Sequence, residues 1–403
     1  MERQAALCAA IGVAIWVLQL AYKLLRSPLR HIPGPLYTRA SRLPLKISII
    51  TGKRIYFIHD LHQRYGPVVR IAPDEVSISS LPEFKEIHLA KGKVHLAVSQ
   101  IQGQLLATGR SDVLKWWTFF ATDVSGHLMF GESFGMLQLG RSYPLWDLQD
   151  DIFRSSDYLS EYGGRAVSNS RTNSMSTRNI FTGMLTESEK KSGTLTEEDV
   201  VTEAGNLIVA GSDTTAITLT YLVWAVLSQP ALQQDLEDEV GRVDPSYNEA
   251  VLEELPLLNA VIIETLRLYG AAPGSLPRSV PHRGGIFGGH HVPEGVTVST
   301  QSYTIHLDET LYPDPETFDA IRWLSGNGRD PDAAKQGLSP FGHGSRGCLG
   351  IHLAWMKLRL AAAGFFRECR GVRLAPSATW ESMKPENYFL ISPSGHRCEI
   401  MQG

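Results

Sequence analysis

Ser339-Pro340-Phe341-Gly342-His343-Gly344-Ser345-Arg346-Gly347-Cys348-Leu349-Gly350 carries more chemical information than any other part of this chain. Its four glycines keep side chains away from something flat or close. Cys348 stands where the last helix of the chain is expected to begin, and a helix N-terminus favours the thiolate form of a cysteine. Arg346 places a fixed cation beside it, able to pair with a carboxylate. Phe341 offers an aromatic shield. A thiolate in a dry, glycine-lined loop is suited to hold a metal, and a single protein ligand points to a macrocycle that supplies the others. Two other readings of the stretch are weaker. Gly342-x-Gly344-x-x-Gly347 has dinucleotide-binding spacing, but Lys335 to Pro340 is not an apolar strand, and Glu368 ends a helix instead of a second strand. A nucleophilic cysteine needs a base and an orienter; His343 is near, with no Asn or Asp beside it.

Upstream, Thr196-Glu197-Glu198-Asp199 has the form of a capping box. It predicts a helix running to Ser228, just before Pro230. From Leu207 this helix is apolar nearly all round, which implies burial. Gly211-Ser212-Asp213-Thr214-Thr215 interrupts it. Either the patch is a kink whose hydroxyls bond back to the preceding turn, or Asp213 and Thr214 form an acid–alcohol pair that faces a ligand. Gly211 would then let something approach closely. Further on, Glu264 and Arg267 share a helix face among Val261, Ile262, Ile263, Leu266 and Leu268. Arg322, in Phe318-Asp319-Ala320-Ile321-Arg322-Trp323, is a candidate second partner for Glu264 in a desolvated core.

The N-terminus opens with an apolar run, Ala5 to Tyr22, broken only by Gln19. As a helix it would span about 27 Å, close to one bilayer core. Lys23, Arg26 and Arg30 follow it, which predicts a cytosolic body behind a single-pass anchor at 1–25. A cleaved signal peptide is the alternative. Pro33-Gly34-Pro35 marks a linker at 26–45. The remaining 46–403 reads as one body. With 38 basic and 42 acidic residues the net charge is −4, which argues against a nucleic-acid partner. Four cysteines are too few for a disulfide scaffold. Cys8, Cys369 and Cys398 read as ordinary thiols, and the adjacent His290-His291 as surface residues in a turn.

Helix dominates the body. Tyr56 to Tyr65, Val113 to Phe130, Leu252 to Leu268 and Leu349 to Arg367 read as helices, the second mostly buried with Lys115 and Asp123 as exceptions. Short strands are expected at Val68 to Ala72, Glu75 to Ile78, around Ile286 and at Val296 to Thr300. The fold class is therefore mostly α, an α+β body with small sheets, not a doubly wound sheet.

Together these residues resemble the cytochrome P450 family. Phe341, Gly344, Arg346, Cys348 and Gly350 match its Phe-x-x-Gly-x-Arg-x-Cys-x-Gly pattern. Glu264-x-x-Arg267, with Arg322, is similar to its buried ion cluster, and Ala210 to Thr215 to its oxygen-activating helix. The resemblance implies a helical haem domain in which Cys348 ligates the iron of haem b. Arg346 and Arg278 would pair with haem propionates, Phe341 and Gly350 would line the cofactor, and Asp213 and Thr214 would deliver protons. Glu264, Arg267 and Arg322 would be structural. It further implies a monooxygenase acting on a small apolar molecule, with electrons from NADPH through a cytochrome P450 reductase. The anchor would hold it on the endoplasmic reticulum membrane. The wording of Glu203 to Leu227 and Gly131 to Gly135 looks most like fungal members of secondary metabolism.

The resemblance thins near 85–121 and 138–178. The first region lacks the family's Trp-x-x-x-Arg, since Phe120 and Ala121 stand four residues after Trp116 and Trp117. The second is too short for the helices that roof the substrate pocket. A membrane-anchored, non-catalytic relative is the second reading this leaves open.

Overall fold

The computed structural model describes residues 33–50, 54–66, 68–73, 75–78, 91–130, 133–141, 163–164, 167–168, 196–325 and 331–403. The apolar run at 5–22 and Cys8 lie outside them. The chain divides into two compact units, Met1–Leu89 and Ala90–Gly403.

The first unit carries α1 (Leu36–Ala40), α2 (Leu43–Ile50), α3 (Arg54–Tyr65), β1 (Val68–Ala72) and β2 (Glu75–Ile78). Its strands pair antiparallel across the Pro73 turn, as their composition predicts. The Pro33-Gly34-Pro35 step is fastened to the sheet: the Arg70 N–H donates to the Pro33 carbonyl at 2.7 Å. Leu45, Leu61, Val69 and Ile71 form a small core of their own.

The second unit begins with α4 (Lys91–Thr108), β3 (Arg110–Asp112), α5 (Val113–Phe130) and α6 (Met136–Leu139). Then follow α7 (Glu197–Leu227), α8 (Pro230–Gly241), α9 (Glu249–Glu253) and α10 (Pro256–Tyr269). Four short strands lead into the next helices: β4 (Ser275–Ser279), β5 (Gly285–Phe287), β6 (His290–Val292) and β7 (Thr297–Gln301). The helices α11 (Ser302–His306), α12 (Pro331–Gly337) and α13 (Ile351–Glu368) come next. The chain closes with β8 (Arg373–Leu374), α14 (Trp380–Met383), β9 (Pro385–Asn387), β10 (Ile391–Pro393) and β11 (Glu399–Met401). Among the described residues every sheet is antiparallel and none exceeds three strands. Helix carries the fold, as expected.

One core joins α4, α5, α7, α8, α10 and α13. The helix α7 starts at the expected box: Thr196 Oγ1 accepts from the Asp199 N–H, and Asp199 accepts from the Thr196 N–H. At 31 residues it is, among the described residues, the one helix long and apolar enough to cross a membrane. Thr215 through Leu227 are all buried, so it is the central helix of the core.

Three local readings are corrected. Leu252 to Leu268 is two helices, because Leu255 is extended before Pro256, and proline starts a helix far better than it continues one. Glu239 of α8 then caps α10, accepting from the Leu257 and Leu258 N–H groups at 2.9 and 2.8 Å. His290-His291 belongs to β6, paired with β5, not to a turn. Asp123 is completely buried in α5: its carboxylate accepts from the Met136 and Leu137 N–H groups and so anchors α6.

Candidate active site

The loop before α13 is closed by its own backbone. The Gly342 N–H donates to the Ser339 carbonyl at 3.1 Å, the Gly347 N–H to Gly344 at 3.0 Å, and the Cys348 N–H to Phe341 at 2.8 Å. Gly342 and Gly344 have φ of +67° and +70°, a conformation other residues resist. Gly350 caps α13 without a side chain, so Cys348 precedes the helix instead of opening it. Phe341 packs on Trp355, ring centroids 6.3 Å apart.

Of the three cysteines described, Cys348 alone is exposed. Cys369 and Cys398 are buried, and burial pushes the Cys369 thiol up to about 12 and Cys398 upward as well. Leu349 beside Cys348 is 94% exposed. An outward thiol next to an outward leucine and bare glycines is an odd surface for water, and a fitting one for a flat apolar group.

The polar turn lies on α7. The helix runs unbroken through Gly211 to Thr215, and its hydroxyls bond back one turn. Ser212 donates to Ile208 O at 2.7 Å, Thr214 to Ala210 O at 2.8 Å and Thr218 to Thr214 O at 2.9 Å. Asp213 has no hydrogen-bond or ion-pair partner among the described residues, and desolvation pushes its pKa up to about 6. Gly211 serves a different purpose from the one expected. A Cβ there would stand 2.6 Å from Ser125 Oγ, so the glycine admits α5, not a ligand. The Ser125 hydroxyl donates to the Gly211 carbonyl at 2.9 Å. Lys357 Nζ of α13 donates to the same oxygen at 2.5 Å. That lysine joins the helix after the cysteine loop to the turn that bears Asp213 and Thr214.

The ion cluster is as buried as its sequence suggests. Glu264 accepts from Arg267 Nη2 and Nε at 2.8 and 2.9 Å, and from Arg322 Nε at 3.0 Å. Trp323 Nε1 and the Asp319 N–H complete its shell at 2.8 and 2.9 Å. The spare guanidinium hydrogens go to the His306, Pro315, Thr317 and Pro313 carbonyls. His306 then reaches the cysteine loop. Its Nδ1 donates to the Arg267 carbonyl at 2.8 Å, and its Nε2 accepts from the Ser339 N–H at 2.9 Å. The Ser339 amide can only donate, which fixes the tautomer. Burial holds the pKa of His306 down to about 4.

Arg278 lies on β4, paired with β7 and exposed; its Nη1 donates only to the neighbouring Pro277 carbonyl. A Cβ on Gly342 would stand 3.7 Å from Leu276 Cδ1, so β4 lies against the cysteine loop. Arg346 sits in the 3-10 turn Gly344–Arg346 and is exposed. Neither arginine has an acidic partner among the described residues. Two exposed arginines without acidic partners among the described residues, one in the cysteine loop and one on the strand against it, suit the carboxylates of a haem. Trp116 and Trp117 are core residues: Trp116 Nε1 donates to Gln104, and Trp117 packs on Phe120 and Phe365.

Sequence reasoning passed over His306, Lys357, Ser125 and Trp323. Lys357 alone left a signal, a charge inside the apolar run of the last helix.

A model of the family described as Cytochrome P450 matches residues 165–399. The chain belongs to the cytochrome P450 family. Its P450 relatives include the Cytochrome P450 monooxygenase cypX of Dothistroma septosporum, 35% identical over 98% of this chain and 95% of the relative. The Cytochrome P450 monooxygenase tazI of Aspergillus terreus is 35% identical over 98% of this chain and 99% of the relative. For stcB of Emericella nidulans the identity is 35% and the coverage 93% and 88%. A crystal structure of a cytochrome P450 (CYP102L1) shares the fold, with a TM-score of 0.64 at 18% identity, over 78% of this chain and 73% of that one. The alignment with cypX runs over 486 positions, more than the 403 residues of this P450, so the relative carries stretches with no counterpart here. Oxidoreductase and monooxygenase chemistry follows from the family, and the family implies haem.

Proposed function

We propose that this P450 binds haem b through the Cys348 thiolate and oxygenates a small apolar molecule of fungal secondary metabolism. The observation that carries the reading is the outward Cys348 thiol in a glycine-lined loop, fastened through Lys357 to the Asp213 turn. When bound, the haem supplies dioxygen activation, and thiolate donation is what favours O–O cleavage in this family. Arg278 and Arg346 orient the cofactor by pairing with its carboxylates. Phe341 and Gly350 shield the thiolate side. The Asp213 carboxyl, raised to about 6, can hold and release a proton near neutral pH. The neighbouring Thr214 hydroxyl, which donates to Ala210 O, would pass that proton on. Electrons come from NADPH through a separate reductase. Residues 5–22 anchor the protein in the endoplasmic reticulum membrane with the body in the cytosol; their apolarity, broken only by Gln19, and the Lys23, Arg26 and Arg30 that follow support this.

Two experiments test it. With a reductase supplied, Thr214→Ala is expected to keep the red-shifted Soret band of the reduced CO complex while oxygen consumption yields peroxide in place of product. Tight coupling in that variant would refute the proton route. Full-length protein is expected to resist carbonate extraction from membranes, and protein that begins at Leu29 to be released; full-length protein in the soluble fraction would refute the anchor.

A further inference from the structure

Lys357 is a buried charge with no part in binding the cofactor or in moving the proton. It is 1% exposed. Its Nζ donates to the Gly211 carbonyl at 2.5 Å and to Ser125 Oγ at 3.3 Å, and no carboxylate bonds it among the described residues. Taking an ammonium out of water without a carboxylate beside it is costly; that desolvation pulls its pKa down to about 7, against the opposing charge of Cys348. An apolar side chain of equal length would fill the same space without it. Packing therefore does not account for a lysine here.

What it touches does. The Gly211 carbonyl stands one residue before Ser212 and two before Asp213. The preceding carbonyl, Ala210, already accepts the Thr214 hydroxyl. Two successive carbonyls of α7 thus take side-chain donors, one from the helix itself and one from α5 and α13. Such donors compete with the ladder N–H groups and tilt the turn that receives them. The orientation of this turn is set from outside α7.

We propose that Lys357 is a positioning residue: by holding the Gly211 carbonyl it ties the turn carrying Asp213 and Thr214 to the helix that follows the cysteine loop. It thereby sets the register between the two walls of the site. The catalytic part of this rests on the reading of Asp213 as the proton-delivering group.

The test compares Lys357→Met, Lys357→Arg and Ser125→Ala in haem-loaded, full-length protein, by amide hydrogen exchange and by peroxide released per NADPH with a reductase. Lys357→Met is expected to keep the red-shifted CO band. It should speed exchange in residues 209–216 roughly tenfold, as loss of one charge-assisted hydrogen bond would. Residues 219–227 should not change. Peroxide release should rise, and Lys357→Arg should restore both readouts in part. If Lys357→Met does not fold, Ser125→Ala, which removes the other donor to the same carbonyl, must show the same local gain in exchange. Unchanged exchange at 209–216, or an equal rise along the whole helix, overturns the proposal. So does unchanged peroxide release in Lys357→Met while Asp213→Asn raises it. Unchanged release in both variants overturns the reading of Asp213 and the catalytic role of Lys357 with it.

Discussion

The surroundings of Glu264 and the loop around Cys348 are joined through His306, yet they are opposites in their chemistry. Around Glu264 both carboxylate oxygens are taken, and three guanidinium nitrogens of Arg267 and two of Arg322 have close acceptors. All three charged residues are at most 3% exposed. Around Cys348 the backbone is closed, but the thiol, Arg346, Arg278 and Leu349 are all exposed, and neither arginine has an acidic partner among the described residues. The first region is finished by protein alone, so its work is to hold shape. The second is closed as firmly in its backbone but presents its side chains outward, and it is there that the proposed cofactor would sit.

The comparison breaks most easily at Glu264. Removing it leaves two buried guanidiniums unpaired, which costs roughly 3–5 kcal/mol. Glu264→Ala is expected to give little folded protein, and a normal melting temperature would show the cluster to be dispensable. Trp323→Phe removes one donor to the same carboxylate and is expected to cost about 1.5–3 kcal/mol in a denaturant titration. A loss as large as that of Glu264→Ala would mean the indole carries the packing instead.

The smallest effects lie in the pH profile, where His306 and Asp213 pull in opposite directions. His306 binds its proton near 6.5 when unfolded but only near 4 when folded. Its contribution to stability is complete above 6.5 and is lost as pH falls toward 4. Asp213 is raised from 3.8 to about 6 on folding. Its contribution is complete below 3.8 and is lost as pH rises through 6. Asp213→Asn should therefore melt higher than the wild type at pH 7.5, with the gain gone by pH 4. His306→Gln should flatten the acid limb of the wild-type curve. Parallel curves for Asp213→Asn and wild type would place the Asp213 carboxyl in water.

How far the sequence reaches follows the same division. The capping box at Thr196, the buried helix behind it, the two strands around Pro73 and the pairing of Glu264 with Arg267 are local in sequence, and period and spacing express them directly. Pro256 also spoke for a break that the apolar pattern from Leu252 to Leu268 concealed. The contacts that were missed are long-range. Gly211 looks like room for a ligand until Ser125 arrives from α5, and His306 looks like any core histidine until Arg267 and Ser339 fix its two nitrogens. Asp123 reads as a polar exception until the N–H groups at the head of α6 and Lys93 are seen to meet its carboxylate. The Cys348 loop was readable because its glycines and arginine are adjacent in the chain.

The central claim is that Cys348 is the residue the cofactor binds. The most direct measurement is the reduced-minus-reduced-CO difference spectrum of haem-supplemented membranes carrying the wild type or single cysteine variants. The wild type is expected to show a red-shifted Soret band, Cys348→Ser to lose it, and Cys369→Ser and Cys398→Ser, whose thiols are buried, to keep it. A wild type without the band, or a Cys348→Ser variant that keeps it, would contradict the account.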